Sequence, residues 1–290
     1  MTVAVAGAMC IASSATLVGL AGVAPATAAF FRCVYALPLL GVLAWRERRR
    51  LGARTARQVR TSVIAGVFFA IDLVLWNHAI AAAGAGIATV LGNLQVVFVG
   101  LAAWVAFSER PPMRLIAVLP VVLAGVVLIS GAVGSGAYGP DPRLGVVYGV
   151  GTSLAYAVFI LVLRGRGGES GPVAGPLFEV TAVTAVVSAA LGPVAGGIDL
   201  VPTWPAAGWL ALLGVTSQVV GWMLITWAWR LLPAAQTSLL LLIQPVAAVL
   251  LSAAVLGERP SAWQLAGCAV VIAAVVWGSL GPPQDEWKAA

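Results

Sequence analysis

Charge is what this chain has least of. Only 9% of its 290 residues are Asp, Glu, Lys or Arg, where a soluble domain carries roughly 25%. So few charges could not cover a folded surface against water, which excludes an ordinary soluble globular domain. Lysine is almost missing: Lys288 is the only one, and the other basic residues are Arg. No Gly-x-x-x-x-Gly-Lys-Ser/Thr run occurs, which excludes ATP-driven pumping by this chain. Histidine occurs once, as His78, and cysteine three times, as Cys10, Cys33 and Cys268. The cysteines lie inside apolar stretches with no metal-like spacing, so they read as small buried residues rather than disulfides or ligands. An intramembrane enzyme would need a metal cluster, a Ser/Lys or Ser/His pair, or paired aspartates. One His and one mid-span Asp assemble none of these, so no enzyme and no cofactor is expected.

What is present is apolar sequence: 61% of the residues are hydrophobic and the mean hydropathy is +1.02. Crossing the hydrocarbon core takes about 20 apolar residues, so ten crossings use about 200 and leave about 90 for connections. The spans read as approximately 3–22, 26–45, 62–83, 86–107, 114–133, 144–164, 173–192, 206–229, 234–256 and 262–280. Turn formers separate them, among them Pro25, Gly84, Pro111-Pro112, Pro233 and Pro260. Membrane β-strands are excluded, since these runs far exceed about 9–11 residues and do not alternate. No basic residue precedes Arg32, so Met1–Gly22 reads as a first transmembrane helix rather than a signal peptide.

The net charge of +6 would suggest nucleic acid in a soluble protein. Here the positive charges lie between apolar spans and report topology instead; the expected partners are lipid and a small molecule, with no nucleic acid. With the N-terminus inside, thirteen loop and terminal cations fall inside, from Arg46 to Lys288, and only Arg143 and Arg259 fall outside. That asymmetry predicts cytoplasmic N- and C-termini in a bacterial inner membrane.

The chain also matches itself at an offset of 149 residues. Gln95 and Gln244 each stand fourteen residues before a glutamate, and those glutamates open Glu109-Arg110-Pro111 and Glu258-Arg259-Pro260. Ser130 matches Ser279. Two five-helix units are expected, over 1–135 and 143–281. Five is odd, so the second unit enters from the opposite side, and an inverted repeat of this kind underlies alternating access. The predicted fold is therefore all-α integral membrane: ten transmembrane helices as two inverted five-helix repeats.

The paired Glu-Arg-Pro turns, the Gly125 and Gly267 helices after them and the two-repeat layout resemble the EamA family of the drug/metabolite transporter superfamily. The stretch from Gly84 through Gln95 to Glu109 looks most like its homoserine/threonine exporter branch. The resemblance covers nearly the whole chain. It implies ten helices around a central cavity, alternating access and export of small metabolites such as amino acids. Other small molecules or drugs, or a passive channel, are the alternatives, and the protein is expected to be a monomer or a homodimer.

Charges inside a membrane are costly and mark function by default. Arg32, Asp72 and Glu179 qualify. Asp72 falls near the middle of its span. Arg32 and Glu179 hold similar places in opposed copies. Asp72 and Arg32 are expected to face the cavity, either paired with each other or binding the amino and carboxylate groups of a zwitterion. A midplane carboxylate also makes the proton a candidate coupling ion. Trp76 lies one turn from Asp72 and shares its face, whereas His78 and Asn77 read as structural. Asn93, Gln95 and Gln244 are uncharged polar groups in apolar spans, expected to line the cavity or bond across helices. Pro245 after Gln244 suggests a broken helix; the equivalent position in the first half is Val96, which puts a symmetric break in doubt. Gln218, Trp222 and Thr226 follow at four-residue intervals and with Tyr156 predict an aromatic wall. Glu109 and Glu258 read as helix caps.

Overall fold

The structure, a computed structural model, describes residues 2–107, 113–164, 172–225 and 243–279. Among them there is helix and no strand. The helices are α1 (Thr2–Ala21), α2 (Pro25–Leu51), α3 (Ala56–Ala83), α4 (Ala85–Gly92), α5 (Gln95–Phe107), α6 (Met113–Ile129), α7 (Pro142–Arg164), α8 (Ala174–Leu191), α9 (Ala206–Leu213), α10 (Ile243–Leu256) and α11 (Ala262–Ser279). A π-helical segment, Gly214–Gly221, continues α9. With α4–α5 and α9–π each counted as one rod, the described residues form ten rods. Six are long and apolar enough to cross a membrane, and four shorter apolar helices accompany them.

Local chemistry explains several ends. Pro25 opens α2, where its missing N–H costs nothing. Thr55 and Gln58 form a reciprocal capping box on α3. Gly84 ends α3 at φ 97°, a left-handed conformation that glycine adopts without strain. Ser261 and Gln264 cap α11 reciprocally, at 3.0 and 3.2 Å. That position was expected to be served by Glu258, which instead caps another helix. Its carboxylate accepts from the backbone N–H groups of Ala85, at 2.6 Å, and Gly86, at 3.1 Å, at the start of α4. Glu109, the other expected cap, lies outside the described residues.

Two differences from the expected spans affect the site. The rod expected over 86–107 is broken after Gly92 without any proline. The Asn93 and Leu94 N–H groups bond three residues back, to Val90 and Leu91, and the Asn93 amide donates to the Thr89 carbonyl at 2.8 Å. A side chain feeding back into the ladder is a recognised cause of a kink. The rod after Ala206 carries a π segment where a regular helix was expected, which moves Gln218 off a simple four-residue face with Trp222.

Apolar helices gain little by hiding from lipid tails, so close approach through small residues holds them together. α7 lies on α3 and α4 this way: a Cβ added at Gly145 would sit 2.4 Å from Ala83 Cβ, and one at Gly149 2.6 Å from Leu91 Cβ. α6 and α11 meet at Gly125 and Gly267, where an added Cβ on Gly267 would come within 2.6 Å of the Gly125 carbonyl oxygen. The main pairings are α3 with α7 and α8, α2 with α8, α6 with α11, and α1 with α10. α1 also meets the π segment, and α4 meets α10.

Candidate functional site

The broken rods leave a cavity of about 240 Å³ near the centre of the bundle. Arg32 reaches it from α2, Asp72 and Trp76 from α3, and Asn93 and Gln95 from the α4–α5 break. Tyr156 comes from α7, Trp222 from beyond the π segment and Gln244 from the start of α10. Eight of the ten sequence-predicted residues are thus brought together. Gln95 and Gln244, equivalent in the self-match, face the same space.

Both charges are buried, Arg32 at 5% and Asp72 at 7% exposure. They make no ion pair with each other; among the described residues the ion pair is Arg54–Glu179. Arg32 Nε donates to Gln218 Oε1 at 2.9 Å, and its Nη2 donates to Ser217 Oγ at 3.1 Å. Gln218 is held in turn, since its Nε2 donates to Thr181 Oγ1 at 3.0 Å. The guanidinium carbon lies 6.0 Å from the centroid of the Trp76 ring. On the opposing side the Thr152 hydroxyl donates to the Asp72 carboxylate and lies 2.8 Å from the Asp72 carbonyl oxygen. Neutral hydroxyl and amide groups therefore make the direct hydrogen bonds to each charge.

One wall is aromatic. Phe69 and Phe159 stack at 4.8 Å, and Trp222 stands edge-on to both at 6.1 Å. Tyr156 leans on Phe159 at 5.3 Å. The site therefore offers a cation, an anion, three amide side chains and a flat apolar face within one small volume. Such a set suits a small ligand carrying both charges and an apolar part.

Two predicted residues lie elsewhere. Gln218 sits behind Arg32 and orients it. Glu179 is separated from the central cavity: it pairs with Arg54 at one end of the bundle and lines a second cavity there. Its similarity of place to Arg32 does not make it a partner in the same site. His78 stacks on Tyr148 at 4.9 Å, and the Asn77 amide donates to the Pro25 carbonyl at 2.9 Å. Thr226 lies outside the described residues. Thr152 and Thr89 line the cavity without having been singled out. Thr152 stands four residues before Tyr156, a spacing that placed it on the same face.

A multi-pass, all-helical membrane protein with a cavity lined by buried charges of both signs is the class these features define. The chain belongs to the EamA-like transporter family, whose sequence profile matches residues 1–131 and 143–280. The family lies within the drug/metabolite transporter superfamily. A crystal structure of another protein superposes over 96% of each chain with a TM-score of 0.62 at 18% identity, a likeness of fold. A search of curated proteins found no match.

Proposed function

We propose that this membrane transporter is a secondary exporter of amino acids or closely related metabolites, working by alternating access across a bacterial inner membrane. The observation that carries the reading is the separation of Arg32 from Asp72. Two opposite charges line one cavity, are held by neutral donors and acceptors, and make no direct ion pair with each other. A zwitterion supplies both missing partners, its carboxylate for Arg32 and its ammonium for Asp72. An unpaired buried charge is costly, so the ligand that completes it gains correspondingly. The aromatic face then accepts the remainder of the molecule.

The packing pattern supports a pseudo-twofold relation between the halves, and the odd number of rods in each makes that relation an inverted one. If rods one to five are exchanged with six to ten, α3–α7 maps onto the π segment with α1. Likewise α3–α8 maps onto the π segment with α2, and α2–α8, α4–α10 and α6–α11 map onto themselves; all these contacts occur. A pseudo-twofold arrangement of this kind lets the two halves exchange conformations around a fixed site. Asp72 is the group that would exchange a proton with a driving gradient.

The test is a comparison of metabolites in the medium of cells expressing the wild type, Asp72→Asn or an empty vector, with membrane levels of the protein checked. The expected result is accumulation of small zwitterions outside only with the wild type. Equal profiles at equal protein levels would overturn amino-acid export. Accumulation of a non-zwitterionic compound would redirect the reading to another substrate.

A further inference from the structure

The second cavity, of about 460 Å³, opens between α2, α3 and α8 at the arginine-rich end of the bundle. Gly41, Ala44 and Phe178 form its apolar part, and Trp45, Arg48 and Arg54 stand on its polar side. Its two carboxylates are already satisfied by the protein. Glu47 accepts from the backbone N–H groups of Val173, Ala174 and Gly175 at 2.7, 3.2 and 2.7 Å. Glu179 is paired with Arg54, whose guanidinium also donates to Ser62 Oγ at 3.2 Å. Arg48 and Arg54 thus balance the two carboxylates in the lining, and the excess charge at the opening is positive, from Arg46, Arg49 and Arg50 on exposed positions of the same helix.

The depth of this opening in a bilayer follows from helix length. α2 has 27 residues, about 40 Å at 1.5 Å per residue, whereas about 20 residues cross the hydrocarbon. Its last turns, from Trp45 to Leu51, therefore stand among the lipid headgroups. Trp45 is 53% exposed, and the Arg49 guanidinium lies 4.0 Å from its ring centroid. An indole at headgroup level beside clustered arginines suits an anionic membrane surface.

We propose that this cavity seats one anionic phospholipid, with its phosphate toward Arg48 and the upper part of an acyl chain against Gly41 and Phe178. Charge and shape both favour this occupant: a cationic rim at headgroup depth leads into an apolar wedge. The proposal depends on the chain lying in a membrane and not on what it transports.

The full-length protein is purified in a neutral detergent and exchanged into phosphatidylcholine bilayer discs with or without phosphatidylglycerol. Thermal melting and lipid retention in native mass spectrometry are then measured. Phosphatidylglycerol is expected to raise the melting temperature and to be retained. Arg48→Gln weakens retention by about fivefold, the effect of one basic residue at a membrane surface. Arg60→Gln, an exposed arginine that does not line the cavity, leaves retention unchanged. Gly41→Leu fills the wedge and abolishes retention with every charge kept; should it fail to fold, the two arginine variants decide. Equal behaviour in the two lipids would overturn the proposal. So would equal losses from Arg48→Gln and Arg60→Gln, which would mean diffuse surface charge. Equal protection by inorganic phosphate alone would mean an anion site rather than a lipid seat.

Discussion

Arg32 and Asp72 are visible in the sequence because a charge interrupting an apolar run has few reasons to be there. What holds them is much less visible. Thr152, Ser217 and Thr181 are small hydroxyl residues of a kind common in membrane helices, and only the folded chain shows which of them reaches a charge. Gln218 illustrates the limit: its polarity marks it as functional, but its place behind Arg32 makes it an orienting residue. That assignment is testable. Gln218→Leu keeps the volume and removes the acceptor for Arg32 Nε. A hydrogen bond to a charged group is worth about 1.5–3 kcal/mol. Apparent substrate affinity should therefore fall by at least about tenfold while the protein still reaches the membrane. Uptake into inverted vesicles at graded substrate concentrations measures it. Unchanged affinity would separate Gln218 from the site. Glu179 is legible as a charge within an apolar span, but not its partner, because Arg54 looks like one of many arginines in a basic connection.

Among the elements, helix existence and approximate boundaries follow from apolar run length and turn residues. The irregularities do not. The Asn93 break has no proline to announce it, and the π segment has no sequence marker beyond its glycines. Both shape the cavity, so the feature that makes the site is the part of the secondary structure least apparent beforehand. α2 and α3 also run past the expected spans, to 27 and 28 residues. Polar residues such as Arg46 to Arg50 end a hydrophobic run without ending a helix. Close packing is readable only as glycine frequency until contacts are known. At Gly267 an added Cβ would meet a backbone carbonyl at 2.6 Å, which cannot rotate away as a side chain can. Gly267→Ala should therefore force α6 and α11 apart and destabilise by about 1–3 kcal/mol. Gly41→Ala, whose Cβ would meet only Phe178 at 3.5 Å, should leave the melting temperature unchanged or slightly higher. Thermal unfolding in detergent compares the two. Equal losses would show that the α6–α11 approach is not tight.

At the scale of the whole molecule, the self-match and the arginine distribution together predict which way each end of the bundle faces. The offset of 149 residues places Ala53 near Pro202 in the second copy. If the copies are inverted, these equivalent connections lie on opposite sides of the membrane; parallel copies would put them on the same side. Ala53 and the neighbouring Val201 are both exposed, as is Ser135 between the halves. In a background with Cys10, Cys33 and Cys268 replaced, single-site Val201→Cys and Ser135→Cys variants should react with a membrane-impermeant maleimide on intact cells. Ala53→Cys should react only after permeabilisation, because Arg54 beside it and Arg57 and Arg60 in the first turns of α3 are cations that the charge asymmetry predicts to lie inside. Labelling of Ala53→Cys but not Val201→Cys from outside would keep the inverted repeat and reverse the orientation. Labelling of both from one side would remove the twofold axis in the membrane plane, and with it the exchange of inverted halves around Asp72 and Arg32.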